Sequence, residues 1–376
     1  MKEHNWFIKT IGETCDILSG YAFNSKLFSD DKTNIPIIRI RDISRGYTET
    51  YYKGEYKPEY IVENGDYLIG MDGEFNINKW EGNCALLNQR VCKISVKDKT
   101  ILHPAFLLYF MPLPLKKIED ETPFVTVKHL STKKIADIKI PIPSIIEQEK
   151  IIGELDGLSK IINNKKKQLE ELDKLAHAIF YDMFGDPMTN ERGWNINKLE
   201  NEGTIVTGST PSTNDSSNWD GDIDWITPAE LGVQLYYGET KRKLTAKGAK
   251  GLTLMPSGTV ILSTRAPIGK LAISTRPMCC NQGFKNIICG DRLNNIYLYY
   301  YLMLTMRKIE LLGRGATFKE VSKNSIATYN ILTPPLPIQQ QFAEKIKAIE
   351  KQKALIKKSL EEVETLFNSR MDYYFN

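Results

Sequence analysis

The chain is poor in the residues that usually carry chemistry. Its four histidines (His4, His103, His129, His177) are scattered and form no metal-ligand spacing. Its six cysteines (Cys15, Cys84, Cys92, Cys279, Cys280, Cys289) form no CxxC pair and no disulfide-framework spacing, which predicts reduced thiols in a cytoplasmic protein. No GxxxxGK[ST] phosphate loop is present, and neither is a Gly-rich FxGxG segment or a (D/N)PPY motif for methyl transfer. No apolar run is long enough to span a membrane, and the opening MKEHNWFIKTIGE lacks the basic-then-apolar pattern of a signal peptide. Asp224 followed by Glu239-Thr-Lys241 formally fits a D…ExK nuclease pattern, but such spacing arises easily by chance and Asp224 lies in a segment that an internal repeat explains. These absences predict a non-catalytic chain with no metal or cofactor of its own and no membrane partner.

What is present is an ordinary globular composition on an unusual plan. The 376 residues leave room for more than one domain, and 41% hydrophobic with 26% charged residues fits a packed, soluble fold. A net charge of +4 permits nucleic-acid binding without demonstrating it, since the usual footprint is more basic.

The organising stretch runs from Ser144 to Gly185. Apolar residues recur at Ile151, Leu155, Leu158, Ile162, Leu169, Leu172, Ala176, Ile179 and Met183, with a polar step at Lys165. This 4-3-4 rhythm is the seam of a long helix that packs along another helix. A helix from Ile151 to Met183 is about 50 Å long at 1.5 Å per residue. The same rhythm returns at Phe342, Ile346, Ile349, Ile356, Leu360, Val363, Phe367 and Tyr374, with polar steps at Lys353 and Arg370. Each position lies 191 residues after its counterpart (342 − 151 = 191). The entries match in that register, Pro143-Ser-Ile-Ile-Glu-Gln148 against Pro334-Pro-Leu-Pro-Ile-Gln339. Two copies in one register predict a paired coiled coil.

The repeat extends beyond the helices. Asn5-Trp6 parallels Gly193-Trp194, Ile17-Leu-Ser-Gly20 parallels Ile205-Val-Thr-Gly208, and Ile35-Pro-Ile-Ile38 parallels Ile223-Asp-Trp-Ile226. Asn88-Gln89 matches Asn281-Gln282, Phe106–Phe110 matches Tyr297–Tyr301, and Thr126-Val-Lys128 matches Thr317-Phe-Lys319. The offset drifts from 188 to 193 and back to 191, as small loop insertions would produce. Short β runs bounded by Gly, Asn and Asp dominate each copy, with helices near its end. The expected fold is α+β: two similar α/β domains with mixed or mainly antiparallel sheets, separated by two long antiparallel helices, with pseudo-twofold symmetry. The expected segments are 1–143, 144–187, 188–335 and 336–376. Two related but diverged heads at a fixed spacing suit unequal half-sites on DNA, which repeat at about 34 Å per turn.

This arrangement resembles the specificity subunit of type I restriction–modification systems, across the whole chain. The best-matching stretches are Gly193-Trp194, Gly208-Ser-Thr-Pro-Ser212, Ile223-Asp-Trp-Ile-Thr-Pro-Ala229 and the two helix entries. The first domain departs from the commoner pattern, with Gly20-Tyr-Ala-Phe-Asn24 in place of GSTPS and Arg39-Ile-Arg41 in place of Thr227-Pro-Ala229. The resemblance implies two target-recognition domains, each reading half of a split, asymmetric site on double-stranded DNA. It implies that the helices act as spacer and as docking surface for two modification subunits. Those partners would bind S-adenosylmethionine, flip the target adenine and methylate it at N6. A separate motor subunit would add cleavage of unmodified DNA. The alternative is a protein scaffold whose two heads bind proteins instead.

Phosphates are contacted by Lys, Arg and small polar groups, and base edges are read best by Arg, Asn and Gln. The candidates in the first domain are Arg39, Arg41, Arg45, Asn88, Gln89, Arg90 and Lys128. In the second they are Thr227, Lys241, Arg242, Lys243, Arg265, Asn281, Gln282, Arg314 and Lys319. Asn88-Gln89 and Asn281-Gln282 recur in both halves and fit a shared structural turn equally well. Residues that differ between the heads are the better candidates for specificity.

Overall fold

The computed structural model of the chain describes residues 6–122, 128–232, 234–265, 267–313 and 320–375. Contacts divide the chain into two compact units, Met1–Lys165 with Ser359–Asn376, and Lys166–Lys358. Two helices of 40 residues, Ile145–Phe184 and Leu336–Phe375, are therefore each shared between the units.

In the first unit, Phe7–Thr10 pairs antiparallel with Lys139–Ile142, which leads into the central helix. A four-stranded sheet has the order Cys15–Ser19, Val91–Val96, Tyr67–Gly70, Ile77–Lys79. A second sheet has the order Phe28–Ser29, Tyr51–Tyr52, Ile35–Ile38, Ala85–Leu87, Ile61–Val62.

The second unit repeats the plan. Ile196–Lys198 pairs with Asn330–Leu332, and Gly203–Thr207, Lys285–Cys289, Val260–Thr264 and Ile268–Ser274 follow one another in a sheet that ends on Tyr236–Tyr237. Trp219–Ile226 lies between Arg242–Leu244 and Cys279–Cys280. The duplication holds at residue level in the parallel pairings. Ile38 stands opposite Leu87 and Ile226 opposite Cys280, offsets of 188 and 193. A net insertion of five residues in the second copy (193 − 188) thus falls between these two strands, and the drift back to 191 lies after them.

One close approach recurs at the same place. A Cβ on Gly20 would stand 2.0 Å from the Asn88 carbonyl oxygen, and one on Gly208 1.8 Å from that of Cys280. Only glycine lets the backbone pass there. Gly20→Ala and Gly208→Ala are each expected to cost about 2–3 kcal/mol, since a backbone carbonyl cannot yield as a flexible side chain can. Gly157→Ala, where the central helix offers open space, is the control and should raise stability by up to about 1 kcal/mol. Midpoints of denaturant unfolding measure all three, and an unchanged midpoint for Gly208→Ala would contradict the close approach.

The helices bury the stripe that their periodicity predicts. In the first unit, Ile151 and Leu155 join Ile11, Phe106 and Ile140 in one core, with Phe367 and Met371 packed against it. In the second, Phe180, Phe184, Phe342, Ile346 and Ile349 share a core with Tyr297 and Tyr301. Leu158, Ile162, Leu169, Leu172, Ile179, Ile356, Leu360 and Val363 are half-buried, as one face of a two-helix contact requires. Within the second unit the helices run in opposite directions, since Asp173 meets Lys353 while Phe184 meets Phe342. Two of the three polar steps, Lys353 and Arg370, are met by ion pairs. Lys353 Nζ lies 2.7 Å from Asp173 and 2.6 Å from Glu350. In the first unit Arg370 donates through Nε (2.5 Å) and Nη2 (2.9 Å) to the two oxygens of Glu154, whose carboxyl is held below the usual range by those bonds.

Each helix entry carries a wholly buried glutamine. Gln148 accepts from the His103 backbone N–H at 2.8 Å and donates to the carbonyls of Ile101 and Pro143. Gln339 accepts from Asn294 N–H at 2.8 Å and donates to Arg292 and Pro334. The matched Gln of the two sequence entries is thus one structural device used twice.

Candidate nucleic-acid interface

In the first unit the three arginines fall on one turn. Residues Ile40–Asp42 form a 3₁₀ turn that begins at Arg39, whose N–H donates to the buried Asp42 carboxylate at 2.9 Å. Arg41 lies 3.8 Å from the same carboxylate with most of its side chain exposed. The side chains of Arg39 and Arg45 make no ion pair among the described residues, so their guanidinium donors are available to a ligand.

The second cluster is differently built. Asn88 is buried and its Oδ1 has no hydrogen-bond partner among the described residues, whereas Gln89 is exposed. Arg90 adopts a left-handed backbone (φ 75°) and is ion-paired with Asp72. Asp72 is buried and also receives His129 Nδ1 at 2.7 Å. Lys128 donates to the Glu119 carbonyl at 2.6 Å, which ties it to the end of the helix Pro112–Glu121. Asp72 and His129 carry no signal in the sequence, because they meet across 57 residues in an isolated bridge.

In the second unit Thr227 occupies the turn position that Arg39 holds in the first. Its N–H and hydroxyl both donate to Glu230 at 2.9 Å, so the hydroxyl is used locally. The other oxygen of Glu230 accepts the Lys241 N–H at 2.7 Å and the Tyr237 hydroxyl at 3.1 Å. Arg242 Cζ lies 3.5 Å from the centroid of the Trp219 ring. Lys243 is 3.9 Å from Asp224, a buried carboxylate that also accepts from the Thr240 hydroxyl at 2.9 Å. That environment occupies Asp224 structurally, and no group of three or more His, Cys, Asp or Glu among the described residues is placed to hold a metal ion.

Arg265 is exposed and its backbone bridges Glu320, the position equivalent to Asp72 with His129. Glu320 turns inward to the buried Lys285 at 3.2 Å. Asn281 accepts from Gly283 N–H at 2.9 Å and so makes the structural turn. Gln282 is exposed and accepts from Thr210 at 2.5 Å, which links it to the Gly208–Ser212 stretch. Arg314 and Lys319 lie outside the described residues.

The chemistry available is that of binding. Each unit offers Arg, Lys, Gln and hydroxyl groups on turns beside the sheet that holds Ile35–Ile38 in the first and Trp219–Ile226 in the second, which suits phosphate and base-edge contacts. Burial pushes the thiols of Cys92, Cys280 and Cys289 up to about 12, so they are protonated at neutral pH and are poor nucleophiles.

The family described as type I restriction modification DNA specificity domain matches residues 3–174 and 191–365. The chain belongs to this family. The two matches begin 188 residues apart (191 − 3) and end 191 apart (365 − 174), the offsets of the internal repeat. Each specificity domain thus comprises one head and most of the long helix that follows it in sequence. Among curated relatives, the EcoBI specificity subunit of Escherichia coli is 38% identical over 171 residues, covering 46% of this chain and 36% of the relative. The MjaIX specificity subunit of Methanocaldococcus jannaschii is 37% identical over 158 residues, covering 40% and 37%. The chain therefore spans little more than a third of the length of these two. The MjaVIII specificity subunit of the same archaeon is 22% identical, with 96% of this chain and 89% of the relative covered. The solved S subunit of a type I restriction–modification system from M. genitalium aligns over 100% of this chain and 97% of its own, with TM-score 0.62 and 12% identity. At that identity the likeness is one of fold. None of the helices among the described residues is long and apolar enough to cross a membrane.

Proposed function

We infer that the chain is the DNA sequence-specificity subunit of a type I restriction–modification complex. The observation that carries this is the paired match of one specificity domain to two diverged heads on a single chain, each followed by a copy of the same long helix. Each head reads one half of a bipartite, asymmetric site on double-stranded DNA. The differing side chains at matched positions, Arg39 against Thr227 above all, support unequal half-sites. The two long helices form a coiled-coil spacer and dock two modification subunits; their ion-paired polar steps support a fixed register. S-adenosylmethionine sits on those partners, which flip and methylate adenine. A motor subunit in the same complex would sever unmodified DNA.

The test is a gel-shift and a methylation map with the purified modification subunit. The expected result is a preference for one bipartite sequence of at least about 1000-fold over random DNA at fixed salt. Binding to DNA with no sequence preference, or no adenine methylation dependent on this chain, would leave the protein-scaffold reading in its place.

A further inference from the structure

The strand Trp219–Ile226 contains a bulge with a clear geometric result. Both Trp219 and Ile223 pair with Leu244, so Asp220, Gly221 and Asp222 are extruded, with Asp220 at φ 62°. A Cβ on Gly221 would stand 2.4 Å from the Leu244 carbonyl oxygen. Bulges of this kind re-aim side chains beside functional surfaces. Here the bulge brings Trp219 back against the strand that carries Arg242. Trp219 and Trp225 meet edge to face at 5.0 Å, and their indole N–H groups donate to the carbonyls of Ser212 and Ser209, each at 3.1 Å. The platform is therefore rigid and buried, while Arg242 itself is exposed.

Arg242 makes no ion pair among the described residues. Its guanidinium lies 3.5 Å from the Trp219 centroid and 5.4 Å from that of Trp225. A Cζ only 3.5 Å from the ring centroid leaves room for the guanidinium only nearly parallel to the indole, which restricts its plane, and the residue as a whole is exposed. A guanidinium held in one plane suits bidentate recognition, and guanine O6 and N7 present a matching pair of acceptors; a phosphate can take the same fork, so dependence on sequence is what separates the two. Among the described residues of the first unit no arginine is stacked on a tryptophan in this way. The register that places Trp225 opposite Arg242 puts Thr50 beside Ile37 in the matched sheet.

Resting on the specificity-subunit reading above, the geometry points to Arg242 as a base-reading residue of the second unit, held by Trp219 to recognise a guanine in one half-site. The experiment uses the full complex with its modification subunits on a DNA library randomised across both half-sites, and reads adenine methylation by position. Arg242→Lys keeps the charge and loses the planar fork; Arg242→Ala removes both. The expected result for each is a loss of about 10- to 100-fold in discrimination at a single G·C position of one half-site, with the other half unchanged. Uniformly weaker methylation with an unchanged sequence profile would identify Arg242 as a phosphate contact and overturn the inference. So would an unchanged profile at full rate, or a change in both halves. Trp219→Phe, which keeps an aromatic face, should retain more discrimination than Arg242→Lys; the reverse order would overturn the role of the platform. If the unsubstituted complex shows no bipartite target, the functional reading itself fails, which is a separate outcome.

Discussion

Gln339→Leu is expected to destabilise the second unit by about 3 kcal/mol, and Gln148→Leu the first by a similar amount. Leucine matches the volume closely, so packing is nearly conserved. What is lost is a set of three hydrogen bonds to the backbone, in a site with no solvent exposure. The Asn294 N–H and the carbonyls of Arg292 and Pro334 then lose their partner behind an apolar side chain, the Pro334 carbonyl in a fully buried site. An unsatisfied buried group costs about 1–3 kcal/mol, and the carbonyls relax more readily than the N–H, which keeps the sum near the lower end. Gln339→Glu separates this from shape. It keeps the acceptor for Asn294 but sets a carboxylate against two carbonyls, so it should be worse than leucine at neutral pH and recover as the carboxyl is protonated at low pH. Denaturant unfolding across pH checks both. A loss below about 1 kcal/mol for Gln339→Leu would show that the glutamine is a passenger.

Replacing residues 1–143 with the corresponding domain of another specificity subunit is expected to change one half of the DNA target completely and leave the other half and the spacer as they were. The reason lies in where the contacts fall. The core of the second unit is drawn from residues 166–358 alone, so its turns are untouched by the exchange. The new domain must still supply the seat for Gln148, now provided by His103, Ile101 and Pro143, and an apolar face for Ile151 and Leu155. Methylation mapping of the exchanged subunit reads the outcome. A change in both halves would show that the heads are not independent readers.

The plan of the molecule was legible because duplication makes weak local signals add. One amphipathic helix is ambiguous, but two in a 191-residue register, each entered by Pro and Gln, are not. The same repeat, at an offset of 188, matched Gly20 with Gly208 and the strand Ile35–Ile38 with Ile223–Ile226. Within the candidate interface the sequence did less. It grouped Arg39, Arg41 and Arg45 as candidates, and the fold keeps them together on one turn because they are local in sequence. It gave Thr227 as a candidate for DNA contact and Asn281 as a candidate for that or for a turn; in the fold their side chains make a cap and a turn. It left out Asp72 and His129, and it gave no weight to Trp219 beneath Arg242. Those pairings depend on a bulge and on bridges between distant segments, which no periodicity encodes. Residue type says which groups can touch DNA; only the tertiary pairing says which are already spoken for.

The division of each long helix between the units has a consequence for the order of assembly during synthesis. The first unit is closed by residues 359–375, which are made only after the 193 residues of the other unit (166–358). At about 5–20 residues per second the nascent first domain waits about 10–40 s with the apolar stripe at Ile151, Ile152 and Leu155 lacking Phe367 and Met371. The second unit, contiguous in sequence, is free to fold first. A chain terminated early would therefore harm the domain at its beginning, far in sequence from the missing residues.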